Sequence, residues 1–113
     1  MPRLPKPYEA FKRAHPDIWK AYDQLGALVH DAGPLSKKNR ELAKLALAIG
    51  AGMEGAVHSH TRRAREAGAE PGEIFHVVLL GITTLGFPST MAATTWVADE
   101  LKSRSSSKKR RKT

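Results

Sequence analysis

The chain has 113 residues, 41% hydrophobic and 27% charged, a composition that suits one small folded domain and leaves too little length for two ordinary ones. It contains no cysteine, which excludes disulfides, thiolate metal sites, iron–sulfur clusters and any thiol nucleophile. The net charge of +8 is uneven: residues 102–113 hold seven basic residues and no acidic one, so residues 1–101 hold 12 basic against 11 acidic, a net of +1. A domain that bound nucleic acid through its fold would carry a basic face there, so that reading of the whole domain is weakened.

Met1-Pro2-Arg3-Leu4-Pro5-Lys6-Pro7 has three prolines and no apolar run behind its charges. Residues 1–7 therefore read as an extended arm and not as a signal peptide, and no stretch is apolar for long enough to span a bilayer. The expected location is the cytoplasm, with no membrane partner. Tyr8 and Phe11 open a short helix that ends near His15, because the residue before Pro16 is biased away from helical geometry. Pro16 suits the first turn of a second helix, in which Ile18, Trp19, Tyr22, Leu25 and Val29 form an apolar stripe. Ala32-Gly33-Pro34 ends it, and Ser36 is placed to cap a third helix running to about Gly50. That helix is apolar nearly all round, which marks it as central and buried.

A fourth helix spans about Met53 to Ala67, with Gly68 as its stop. Pro71 opens a fifth that carries its apolar run through Leu85, and Gly86-Phe87-Pro88 breaks it. A sixth runs from about Ser89 to Lys102. No segment shows sustained strand-like alternation, so the fold is read as all-α, with five to six helices in a single domain over residues 8–102. Residues 103–113 have no apolar side chain to bury and read as a disordered basic tail, solubilising in the first place, to which any polyanion would bind only weakly. The last two helices are apolar on more than one side, so the chain is expected to assemble as a homo-oligomer.

Chemistry is concentrated in the fourth helix. Consecutive helical positions differ by about 100°, so His58 and His60 face roughly opposite ways and cannot chelate one metal together. His60 falls on the inward face among Ala56 and Ala64, while His58 falls outward beside Glu54, as a solvated side chain in a weak charge pair. The spacing leaves two readings of His60 open: a core histidine satisfied by one hydrogen bond, or a general acid or base in a pocket. Glu41, on the side of Leu45 and Ala48, either answers the helix dipole or faces inward, where His60 would be its natural partner in a proton-transfer pair. No metalloprotease, phosphate-loop, serine-hydrolase or calcium-loop pattern is present.

The run Leu35-Ser36-Lys37-Lys38-Asn39-Arg40-Glu41-Leu42, followed by the apolar helix and Met53-Glu54-Gly55-Ala56-Val57-His58-Ser59-His60-Thr61-Arg62, resembles the carboxymuconolactone decarboxylase family, which includes the alkylhydroperoxidase D-like proteins. Ala67-Gly68-Ala69, Glu73-Ile74 and Gly86-Phe87-Pro88 extend the resemblance over roughly residues 16–101. It implies a helical domain assembling as trimers or hexamers, with its active site near a subunit contact and no cofactor. The peroxidase branch carries a glutamate, a pair of cysteines and a histidine, which align with Glu41, Met53, Ala56 and His60. Both thiols are absent, so dithiol peroxidase chemistry is not implied. The decarboxylase branch retains the histidine alone. By that resemblance His60 is the acid in a decarboxylation of a small organic acid or lactone, assisted by Glu41, with Arg40, Arg63 or Arg62 holding carboxylates. Two other readings remain open: a non-catalytic oligomeric member, and a metal-binding variant drawing ligands from His60, Glu41 and a neighbouring subunit.

Overall fold

In a computed structural model the described residues are 6–112, with side chains described through Ser103; Met1–Pro5, most of the proposed arm, lie outside them. Six helices follow one another: α1 (Lys6–Ala14), α2 (Pro16–His30), α3 (Lys37–Gly50), α4 (Glu54–Glu66), α5 (Pro71–Leu80) and α6 (Phe87–Lys112). The described residues include no strand. Where the sequence suggests one domain over 8–102, the helices group into two compact units that divide after Pro34.

The first unit holds α1 and α2. Helix α1 already begins at Lys6, so Lys6 and Pro7 of the proposed arm are helical. Pro16 sits in the first turn of α2 as its fixed φ favours. Neither helix buries a residue. Ile18, Tyr22, Leu25 and Val29, the apolar stripe of α2, are all exposed. Trp19 is half-buried and meets Tyr8 and Tyr22 at ring-centroid distances of 6.4 and 6.1 Å.

The second unit contains the core. Ser36 caps α3 as its residue type suggests, its Oγ accepting from the Asn39 backbone N–H at 3.2 Å. Leu45, Ile49, Val57, Ile74, Val78 and Val97 pack with Ala64 and Ala93 into one buried cluster drawn from α3, α4, α5 and α6. Each large aliphatic side chain so buried contributes about 1.5–3 kcal/mol. The buried line of α4 is Val57, Thr61 and Ala64, and the Thr61 hydroxyl donates to the Val57 carbonyl at 2.7 Å. Gly68 ends α4 at φ +99°, a left-handed geometry in which glycine carries no Cβ penalty.

Two further helices depart from the bounds the sequence suggests. Helix α5 stops at Leu80 instead of Leu85, and residues 81–85 form a turn. Gly81 is buried where α5 approaches α6: a Cβ there would stand 2.9 Å from Thr90 Oγ1 and 3.0 Å from the Val78 carbonyl. The β-branched Ile82-Thr83-Thr84 that follow are poor at propagating a helix. Helix α6, by contrast, starts at Phe87 and continues to Lys112, past the end placed at Lys102. No glycine or proline follows Pro88, and Lys and Arg are good helix formers.

Candidate functional site

Helices α3 and α4 lie side by side and bring Glu41 to His60. Glu41 is the fifth residue of α3, on the same face as Leu45 and Ala48, and is buried with them. His60 belongs to the next helix and lies at the edge of its buried line. His60 Nδ1 and Glu41 Oε1 are 2.9 Å apart, with side chains 14% and 5% exposed. Burial raises the Glu41 carboxyl. The hydrogen bond and charge of His60, aided by Lys44 and Arg63, outweigh this and hold it below its ordinary value. An ionised carboxylate can only accept, so the bridging proton sits on His60 Nδ1, which donates. Nε2 is then left as the nitrogen with which the ring can take or give a proton.

The surroundings are cationic. Arg63 is exposed on α4 and Lys44 is half-buried on α3, one turn beyond Glu41; both act on the Glu41 carboxylate through their charge. Arg40 precedes Glu41 and is half-buried, with its Nε shielded from solvent. Arg40 and Arg63 thus stand on the two helices that carry the pair. Lys44 was not singled out by the sequence patterns, although its three-residue spacing from Glu41 on a helix is the signal that would have found it. Met53, at the N-cap of α4, is exposed, and Ala56 packs against the core one turn before His60.

His58 differs from the expectation of a solvated side chain. It keeps Glu54 within 3.7 Å at Nε2, but its side chain is only 26% exposed and its Nδ1 lies 3.0 Å from Glu100 Oε1 of α6. Arg62 donates to the same Glu100 oxygen at 3.1 Å. Arg62 is therefore tied to α6, away from the role of carboxylate holder. The two histidines do face opposite ways, one toward α3 and the other toward α6.

Among the described residues no group of three or more His, Asp or Glu side chains could hold a metal ion. No helix among them is long and apolar enough to cross a membrane. A hollow of about 470 Å³ lies in the first unit, lined by residues that include Glu9, Arg13, Trp19 and Asp23; none of the predicted site residues lines it.

The sequence profile of the carboxymuconolactone decarboxylase family matches residues 16–99. No curated protein matches the chain. Among solved structures, a ligand-free carboxymuconolactone decarboxylase family protein from Legionella pneumophila is similar in fold, with a TM-score of 0.75 and 22% sequence identity over 84% of this chain and 85% of the other.

Proposed function

The chain belongs to the carboxymuconolactone decarboxylase family, and we propose that it decarboxylates a small organic acid or lactone, with His60 as the proton carrier and Glu41 as the residue that positions it. The observation that carries this reading is the 2.9 Å bond between Glu41 and His60 Nδ1. It fixes the ring and leaves Nε2 for the substrate. In a β,γ-unsaturated lactone acid, the bond between the ring carbon and the carboxylate carbon breaks and carbon dioxide departs. The electron pair remains on the unsaturated system. Protonated His60 delivers one proton from Nε2 to carbon, and the ring regains that proton from solvent. The Glu41 carboxylate stabilises the imidazolium between turnovers, as a buried acceptor does for a histidine general acid. Arg40 and Arg63, carried by the same two helices, are the cations to which this reading assigns the substrate carboxylates.

Peroxide reduction through a dithiol is excluded by the absence of cysteine. Assembly as a homo-oligomer in the cytoplasm is part of the same proposal. The support for assembly is the exposure of Leu47, Leu79, Leu80 and Phe87, each more than half accessible in one chain.

The test is a panel of unsaturated lactone acids and related carboxylates incubated with the protein in D₂O and followed by NMR. Turnover should release carbon dioxide and leave one deuterium on a carbon of the unsaturated system. His60→Ala should abolish that signal in protein that stays folded at the assay temperature, although its unfolding midpoint falls because Glu41 is left buried without its partner. A variant that loses only stability, or a parent chain that turns over none of the panel, would favour a non-catalytic member of the family.

A further inference from the structure

We propose that the C-terminal extension of α6 is a binding element for duplex nucleic acid, acting through the phosphate backbone and independently of the Glu41–His60 site. The basis is the separation of charge from fold. Residues 1–101 carry 12 basic and 11 acidic side chains, while residues 102–113 carry seven basic and none acidic. The last residue of α6 that is half-buried among the described side chains is Leu101; Lys102 and Ser103 are exposed, and the helical backbone continues to Lys112. At 1.5 Å per residue, the nine residues from Arg104 onward extend the helix by roughly 13 Å.

The residue types choose among polyanions. The stretch 102–113 contains no apolar residue. An interfacial helix needs an apolar face to enter a bilayer, and five consecutive basic positions at 108–112 take up more than one full turn, leaving no register for one. The stretch also has no aromatic side chain on which unpaired bases could stack. The regularly spaced phosphates of a duplex match a helical row of cations, and binding through them releases counterions without reading sequence. Neutralising the phosphates also relieves the repulsion among adjacent like charges within the helix.

The experiment is fluorescence anisotropy of the full chain with two labelled 20-base-pair DNA duplexes of unrelated sequence, at salt concentrations from about 50 to 200 mM. Both duplexes should bind with affinities within a few-fold. The logarithm of the association constant should fall against log salt with a slope steeper than about −3 and no steeper than about −6, the limit for seven phosphate contacts. Replacing Lys108, Lys109, Arg110, Arg111 and Lys112 together by Gln should weaken binding at least tenfold at the low-salt end. It should also reduce the slope to about −2, the share of Lys102 and Arg104. Absence of binding by the parent chain at about 50 mM salt would overturn the proposal. So would an unchanged slope in the variant, because binding would then lie in the folded part. Binding to phosphatidylserine vesicles but not to either duplex would overturn it in favour of a membrane.

Discussion

Glu41 and His60 are 19 positions apart in the chain, and each is anchored in its own helix, yet their side chains meet at 2.9 Å in a largely buried setting. The contact crosses the seam between α3 and α4, so it depends on the shared core that holds Leu45, Ile49 and Val57 as much as on the two polar groups themselves. A carboxylate placed there without a partner would be costly, and the partner is a side chain that can both donate to it and exchange a proton elsewhere.

This arrangement makes stability depend on acidity in one direction. Glu41 is held below its ordinary value of 4.5, so the folded state favours the ionised carboxylate. Its contribution is fully present above that value and is lost as the pH falls below it, through the lower value of the folded state. Urea unfolding of the parent chain and of Glu41→Gln should show a stability gap at pH 7 that narrows below about pH 4.5. Glu73, lowered by the Glu70 backbone N–H and by Lys38, acts with the same sign in both proteins. The difference between the two proteins therefore isolates Glu41. A gap that widens on acidification would contradict the assignment.

The second polar cluster ties α4 to α6. Glu100 accepts from Arg62 at 3.1 Å and pairs with His58 at 3.0 Å, and its side chain is only 11% exposed. Glu100→Ala should destabilise the second unit by roughly 1.5–3 kcal/mol, as expected on losing hydrogen bonds to a charged group in a partly buried site. Chemical unfolding measures this, and the Glu41–His60 chemistry should survive in whatever fraction stays folded. An effect below about 0.5 kcal/mol, the range of an ordinary surface pair, would show that the cluster is not a clasp.

Peroxide consumption separates this chain from the thiol-dependent branch it resembles. Incubated with peroxide and a dithiol reductant, it should consume no more peroxide than the reductant alone. Met53 is exposed and should take up oxygen once, as a sulfoxide seen by mass spectrometry, without turning over. Sustained consumption by the purified protein would refute this.

Assembly can be read by sedimentation velocity. With Leu47, Leu79, Leu80, Phe87 and Met91 all exposed in one chain, self-association is expected, and the family resemblance implies a trimer or hexamer. Leu79→Lys with Leu80→Lys should shift it toward monomer. A parent chain that sediments as a monomer at micromolar concentration would end that expectation.

Much of the helical layout was legible because it rests on local chemistry: Pro16 at a helix start, Ser36 as a cap, and Gly68 in a left-handed stop. The inward side of α3 was legible too, since Glu41, Leu45 and Ala48 share one face. What the patterns missed is tertiary. His58 was placed correctly on its helix but assigned to solvent, because no local signal sets α6 in register so that Glu100 reaches it. At the early end of α5, Gly81 lies against Thr90, a contact between residues on different elements that no local pattern shows. The exposed stripe of α2 shows the reverse limit: amphipathic spacing reports a face able to be buried, not whether this chain alone buries it.

Whether Glu41 orients the His60 ring is read from the tautomer of His60, by ¹⁵N–¹H long-range correlation NMR of the imidazole. If Glu41 holds the proton on Nδ1, the neutral ring should show a protonated Nδ1 and an unprotonated Nε2, and Glu41→Gln should weaken that preference. A neutral His60 ring protonated at Nε2 in the parent chain would contradict this, because Glu41 would then not orient the ring and Nε2 would not be the nitrogen that gains and delivers the proton.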